Sequence, residues 1–223
     1  LCMKYQELEA EIAKTENIGQ KRAKEQQLKQ VLEDMQPYRI RISCDPADKG
    51  LDRTVIYWGI MLGDQYHLIG HYSEATSDNM AIASKIIEIF HTLSTQMGTR
   101  LDTYTEINVD GHGLGIGVIS RLQQIRREQD LKVSIKECLF GAAATNPALY
   151  RNMKGENYFH LRNIMKDGRI ELPNLPSLKT DLMRMKWERQ NEKTVVVDPE
   201  KSPDFADALV YFTWKDRRSI SFF

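Results

Sequence analysis

Apolar and polar residues alternate one by one from Ile40 to Asp45, with Ile40, Ile42 and Cys44 interleaved with Arg41, Ser43 and Asp45. That two-residue period predicts a strand. Two further β-rich runs, Val55 to Met61 and Tyr66 to Tyr72, are joined by Leu62, Gly63, Asp64 and Gln65, a turn suited to an antiparallel hairpin. The spacing then changes to that of a helix. Met80, Ile82, Ala83, Ile86, Ile87, Ile89, Phe90 and Leu93 form a wide apolar face behind a Ser77 or Asp78 cap. Strand patterns return at Thr105 to Val109 and Lys132 to Leu139, and between them Val118, Ile119, Leu122 and Ile125 mark an amphipathic helix. Tyr158, Phe159, Leu161, Ile164 and Met165 predict a helix stopped by Gly168, and Ile170 to Pro173 a short extended piece. Leu178, Leu182 and Met185 space a further helix whose other face carries Lys179, Arg184, Lys186 and Arg189, and Thr194 to Val197 is the last strand. A closing helix starts at Ser202 and Pro203 and continues through Ala206, Leu209, Val210, Phe212 and Thr213. At the other end, residues 1–36 are rich in strong helix formers; Gly19 interrupts them and Pro37 marks the exit into the first strand.

This order of elements predicts an α/β domain, and 223 residues suffice for one well-buried core. The apolar runs fall short of the roughly 18 residues a membrane span needs. The 31 basic and 31 acidic residues cancel, so any nucleic-acid contact must be local rather than the work of an overall positive field. Cys2, Cys44 and Cys138 are far apart and lack CxxC spacing, which disfavours a zinc site and a disulfide framework and suits a reducing cytosol. The first residue is Leu1, from which a fragment of a longer protein is expected.

Candidate chemistry rests on acids. Asp45 and Asp110 each close a strand, while Asp204 and Asp207 sit three apart at the start of the closing helix and share a face. Taken singly each has an ordinary explanation: Asp45 opens a turn, and Asp204 is favoured by the helix dipole. Gly111, Gly113, Gly115 and Gly117 follow Asp110 as GxGxGxG, which is not the dinucleotide fingerprint GxGxxG; these glycines serve close backbone approach around Asp110. His67, His71 and His91 have no acid or Cys at ligand spacing and read as structural. If the three acid-bearing elements meet, their carboxylates would suit hard divalent cations such as Mg²⁺ or Mn²⁺.

The segments DPADKGLDRT, INVDGHGLGIGVISRL, LRNIMKDGRIELPNLPSL and SPDFADAL occur in the order seen in the nuclease domain of tailed-phage terminase large subunits, which this chain resembles from Tyr38 to about Trp214. The resemblance implies a ribonuclease H-like fold, a mixed five-stranded sheet flanked by helices over residues 38–223, with residues 1–37 as a helical extension or linker. It further implies a metal-dependent endonuclease that cuts concatemeric double-stranded DNA with two Mg²⁺ or Mn²⁺ ions. Asp45 and Asp110 would be strand-borne ligands, and Asp204, Asp207 or both would complete the site, with Asp52 as an auxiliary ligand. Lys49, Arg53, Arg121 and Lys201 would steady the DNA backbone. The implied partners are a terminase ATPase domain, the small terminase subunit and a portal protein, in the host-cell cytoplasm and without a membrane. Two departures stand out. Only Pro199, Glu200 and Lys201 intervene between the last strand and SPDFADAL, where the family has a longer segment, and no GxxxxGK[ST] is present, so no ATP hydrolysis is expected of this chain. A resolvase or integrase core, and a DNA-guiding or portal-docking module with little cleavage, are the alternative readings.

Overall fold

The computed structural model describes residues 2–15, 17–34, 39–47, 52–96 and 105–215. Its centre is β1 (Arg39–Asp45), which pairs antiparallel with β2 (Thr54–Leu62) and parallel with β4 (Thr105–Asp110). Around this trio a mixed sheet runs in the order β5-β4-β1-β2-β3-β6, with β3 at Gln65–Glu74, β5 at Val133–Cys138 and β6 at Ile170–Glu171. The sheet thus has six strands where five were expected. The sixth is two residues long and pairs parallel with β3 through Tyr66 and His67.

Helices cover both faces. On one side α3 (Asn79–Gln96) and α4 (Leu114–Glu128) bury Ile82, Ile86, Val118 and Leu122 against Ile40, Ile42, Cys44 and Ile107. Leu8, Leu28 and Val31 from α1 (Cys2–Lys14) and α2 (Ile18–Asp34) join that same cluster. α1 ends at Lys14 and α2 starts at Ile18, so Gly19 lies inside a helix rather than at the break, and Asn17 Oδ1 accepts the N–H groups of Gly19 (2.9 Å) and Gln20 (3.2 Å) and so caps α2. On the other side a second cluster gathers Val55, Tyr57 and Leu68 of the sheet with α5 (Met153–Lys166), α6 (Pro176–Arg184) and α7 (Asp204–Phe212). α7 is buried from Ala206 to Phe212, Asp207 included. Each large side chain it buries contributes about 1.5–3 kcal/mol.

Alternation in β1 is that of a strand covered on both faces rather than wet on one. Arg41 and Ser43 are 4% and 0% exposed, because α7 lies over them. The expected helix through Leu178 is shorter than its basic strip required. α6 ends at Arg184, and Lys186–Gln190 form β7, paired with β8 (Lys193–Val197) in a separate hairpin. Asn191 and Glu192 turn this hairpin with φ of 49° and 65°, both left-handed, as a two-residue hairpin turn with the right twist demands. Lys186 and Arg189 therefore lie outside the helix that carries Lys179 and Arg184, which line separate clefts on α6, and Thr194 belongs to the hairpin rather than the main sheet. Among the described residues no helix is long and apolar enough to cross a membrane.

Candidate metal centre

Register brings the first two acids together. Cys44 lies opposite Val109 in the parallel β1–β4 pair, so Asp45 and Asp110 emerge side by side at the carboxyl ends of adjacent strands, where open α/β sheets bind their ligands. Asp110 is held by its turn. The Gly111 N–H donates to Cys138 O at 2.8 Å, and the His112 N–H to Asp110 Oδ1 at 3.3 Å. Gly115 has no room for a side chain, since a Cβ there would sit 1.8 Å from Asp110 O, and Gly113 takes a φ of 51°. Gly115 thus shows the close approach to Asp110 expected of the series, whereas Gly113 has open space around it and Gly117 packs against Asn79.

The third element arrives because the polar row of the sheet grips its backbone. Ser43 Oγ donates to Ala208 O (2.8 Å), Asn108 Nδ2 to Tyr211 O (2.8 Å) and Arg41 to Phe212 O (3.1 Å). Arg41, placed at the carboxyl end of α7, also meets the negative end of its dipole. Its guanidinium pairs with Glu106, which pairs in turn with Lys136 at 3.0 Å. α7 is thereby fixed with its amino end at the acids.

There the charges crowd. Burial raises the Asp45 carboxyl well above its ordinary range, and Asp207, Asp110 and Asp204 raise it further, against a lowering by Lys154. Asp207 is pushed up to about 6: burial raises it, Lys154 and the Tyr158 hydroxyl lower it, and Asp198 and Asp110 raise it. Tyr158 donates its hydroxyl to Asp207 Oδ1, and the Lys154 ammonium lies 3.6 Å from Asp207 Oδ2 while pairing with Asp198. That ammonium also sits 4.8 Å from the centre of the Phe140 ring, a partly desolvated setting that strengthens its pull on the carboxylates. Asp204 differs. Its Oδ2 accepts the Arg53 backbone N–H at 2.8 Å. Burial raises its carboxyl, hydrogen bonds from Ser202 and Arg53 lower it, and Asp52 and Asp181 raise it.

No protein-family model and no curated protein matches this chain. Solved structures do. The nuclease domain of the large terminase subunit gp2 of bacterial virus Sf6 superposes with a TM-score of 0.56 at 14% identity, over 79% of this chain and 88% of that one. The large terminase nuclease of thermophilic phage G20c gives 0.54 at 13% identity, over 79% and 81%. The human cytomegalovirus terminase nuclease domain, manganese-soaked and inhibitor-bound, gives 0.53 at 12%, over 78% and 81%. The chain has the terminase nuclease fold, a ribonuclease H-like one. Others of these structures carry manganese with beta-thujaplicinol, for Sf6, or bound cobalt, for G20c.

Within this terminase nuclease fold, Asp207, Asp110 and Asp204 all bear on Asp45, and Asp110 bears on Asp207 as well. Among the described residues, no three carboxylate, imidazole or thiol groups close into a finished ligand cage. The donor set of carboxylate oxygens fits Mg²⁺ or Mn²⁺, which take one or two carboxylates and complete their shells with water and substrate phosphates. Asp52 is half-buried and close enough to Asp204 to raise its carboxyl. Arg53 is exposed, and its guanidinium donates to Ser73 Oγ (2.7 Å) and Ser73 O (2.9 Å). Arg121 lies half-buried two turns along α4, with its Nε buried and lacking a hydrogen-bond partner. Lys201 is exposed beside Asp204, and Lys49 falls outside the described residues. Three residues at the site carried no signal for chemistry in the sequence: Lys154, Tyr158 and Asp198. Tyr158 was legible only as part of an apolar helix face.

Proposed function

We propose that this chain is a divalent-metal-dependent endonuclease that cuts concatemeric double-stranded DNA during viral genome packaging. The observation that carries the proposal is the convergence of Asp45 and Asp110, at the carboxyl ends of adjacent parallel strands, with Asp207 in the first turn of the helix docked on β1. A fold that keeps such a cluster retains an uncompensated cost unless a cation relieves it. Asp45, Asp110 and Asp207 would hold two Mg²⁺ or Mn²⁺ ions, which supply an activated water and stabilise the leaving oxygen in phosphodiester hydrolysis. Asp207 is the third ligand in this reading. Asp204 holds the loop before β2 through the Arg53 N–H, with Asp52 next to it as an auxiliary acid.

The chain's own groups prepare the centre. The Tyr158 hydroxyl fixes one oxygen of Asp207, and the Lys154 ammonium stands by the other. Lys154 balances Asp207 and Asp198. Lys49, Arg53, Arg121 and Lys201 are the proposed contacts to DNA backbone, which position the substrate without reading its sequence. In the parent system the partners are a packaging ATPase, a small terminase subunit and a portal protein, in the host-cell cytoplasm. Digestion of supercoiled plasmid with Mn²⁺ or Mg²⁺ tests the proposal. Nicked and linear products are expected from the wild type and none from Asp45→Asn or Asp110→Asn. Plasmid left intact by the wild type with either metal, or cut equally by the variants, refutes it.

A further inference from the structure

A polar cleft of about 310 Å³ opens beside the acids, between one face of α6 and residues 201–205. Asp204 is its shared wall with the metal centre, lining the cleft and also raising the Asp45 carboxyl. Three cationic side chains, Arg53, Arg184 and Lys201, line it against two acids, Asp181 and Asp204. The acids are already engaged. Asp181 Oδ2 accepts the Phe205 N–H at 3.0 Å and its Oδ1 pairs with Arg184, while Asp204 Oδ2 accepts the Arg53 N–H. What the cleft still offers is donors. Arg184 lines the cleft with 32% of its side chain exposed, its Nη2 held by Asp181. Lys201 is exposed at the rim. α6 begins without a side-chain cap, and its first residues, Pro176 and Ser177, line the same cleft. Uncapped first-turn N–H groups and the positive end of a helix dipole favour an anion.

We infer that this cleft seats a backbone phosphodiester of the strand being cut, a phosphate neighbouring the scissile one, with Arg184, Lys201 and the first turn of α6 as its donors. The inference rests on the endonuclease reading and adds to it a positioning role: a strand pinned in the cleft is held where the scissile phosphate meets Asp45 and Asp110. Because the cleft recognises phosphate rather than base, it confers no sequence preference.

Equilibrium binding of a short fluorescent duplex, measured without metal over a series of chloride concentrations, tests it with Lys201→Gln and Ser177→Glu. Removing one cation from a bound phosphate weakens binding roughly five- to tenfold at about 0.1 M salt and lowers the slope of log K against log salt by about 0.9. Ser177→Glu, which puts an anion at the exposed cleft mouth, should weaken binding at least as much as Lys201→Gln. Mn²⁺ affinity by calorimetry and the melting temperature should match wild type for these two, which separates the effect from misfolding or damage to the metal centre. Wild-type affinity and slope in both variants overturn the inference. So does a site that inorganic phosphate fills, seen as a phosphate-dependent melting shift abolished in Lys201→Gln, while duplex affinity stays unchanged. If wild type binds duplex through these residues yet leaves plasmid intact with Mn²⁺, the endonuclease reading fails and the cleft stands; if wild type does not bind duplex at all, both fail.

Discussion

Replacing Asp207 by Asn should stabilise the metal-free protein and abolish its response to metal, a combination that a purely structural acid cannot produce. The Asp207 carboxyl is raised from its ordinary 3.8 to about 6, which puts the extra cost of carrying the charge in the folded state on the order of 2–3 kcal/mol. The folded state holds this proton more tightly than the unfolded chain. That contribution to stability is therefore present at low pH and lost as pH rises through about 6. Asn carries no charge at pH 8 and keeps what the wild type has lost. Lys154 retains Asp198 as its partner, but the amide makes a poorer acceptor for Tyr158, so the net gain is set at about 1–2 kcal/mol, or roughly 3–6 °C for a chain of this length. Mn²⁺ reverses the ranking. At about 100 times its Kd, a bound ion adds about 2.7 kcal/mol to the wild type, and the variant forgoes most of it. Thermal melts at pH 8 in chelator and in Mn²⁺ read both effects. An Asp207→Asn protein that melts below wild type in chelator and gains as much from Mn²⁺ would refute the reasoning.

Other substitutions probe the supports of the site. Gly115→Ala drives a Cβ to within 1.8 Å of Asp110 O; the strand end must shift, and plasmid nicking should fall about 100-fold, as misplacements of about 1 Å can produce, with the circular dichroism spectrum unchanged. Glu106→Gln leaves the Arg41 guanidinium buried without its carboxylate. Burial alone would raise Glu106, yet Arg41 and Lys136 bring it below its ordinary value, so the loss should cost about 3–5 kcal/mol in urea unfolding, and a cost under about 1 kcal/mol would mean the pair is not desolvated. His160 is held down to about 4 by burial and then by Lys215, Arg169 and Arg41. Its neutral form is the folded one, so stability drains as pH falls from about 6.5 towards 4, and urea midpoints at pH 7 and 5 should converge in His160→Gln relative to wild type.

Most of the fold was legible because its signals are local. The alternation of Ile40, Ile42 and Cys44, the helical spacing from Ile82 to Leu93 and the stop at Gly168, whose φ is 65°, need no knowledge of tertiary contacts. The β7–β8 hairpin was hidden for the opposite reason: Lys186–Gln190 is exposed throughout, so no burial imprints a period on it, and its turn at Asn191 and Glu192 lacks the Asn-Gly signature. At the site, Asp45 and Asp110 were visible as acids that end strands. Their partners were not. Tyr158 and Lys154 reach Asp207 only through the packing of α5 on α7, and a spacing of three places Asp204 and Asp207 on one helix face without telling which meets the strands. That difference lies in what surrounds each, a backbone N–H of Arg53 for one, a tyrosine hydroxyl and an ammonium for the other.

The polar half of the β1 alternation links these two levels. From Ser43 to Arg41 the strand advances about 6.6 Å, and from Ala208 to Phe212, whose carbonyls those side chains grip, the helix advances about 6 Å. Strand and helix therefore run in opposite directions with matched rise, which lets successive inward-facing residues of β1 meet successive turns of α7. One more step along the same row of side chains reaches Asp45, and one more turn back along the helix reaches its first turn, where Asp204 and Asp207 stand. A slip of one residue in β1 would turn Arg41, Ser43 and Asp45 to the opposite face together, undocking the helix and dispersing the acids at once. The register that buries Ile42 and Cys44 under α3 and α4 is thus the same constraint that assembles the acid cluster, and selection for a stable core and for a charged centre act on one alignment of one strand.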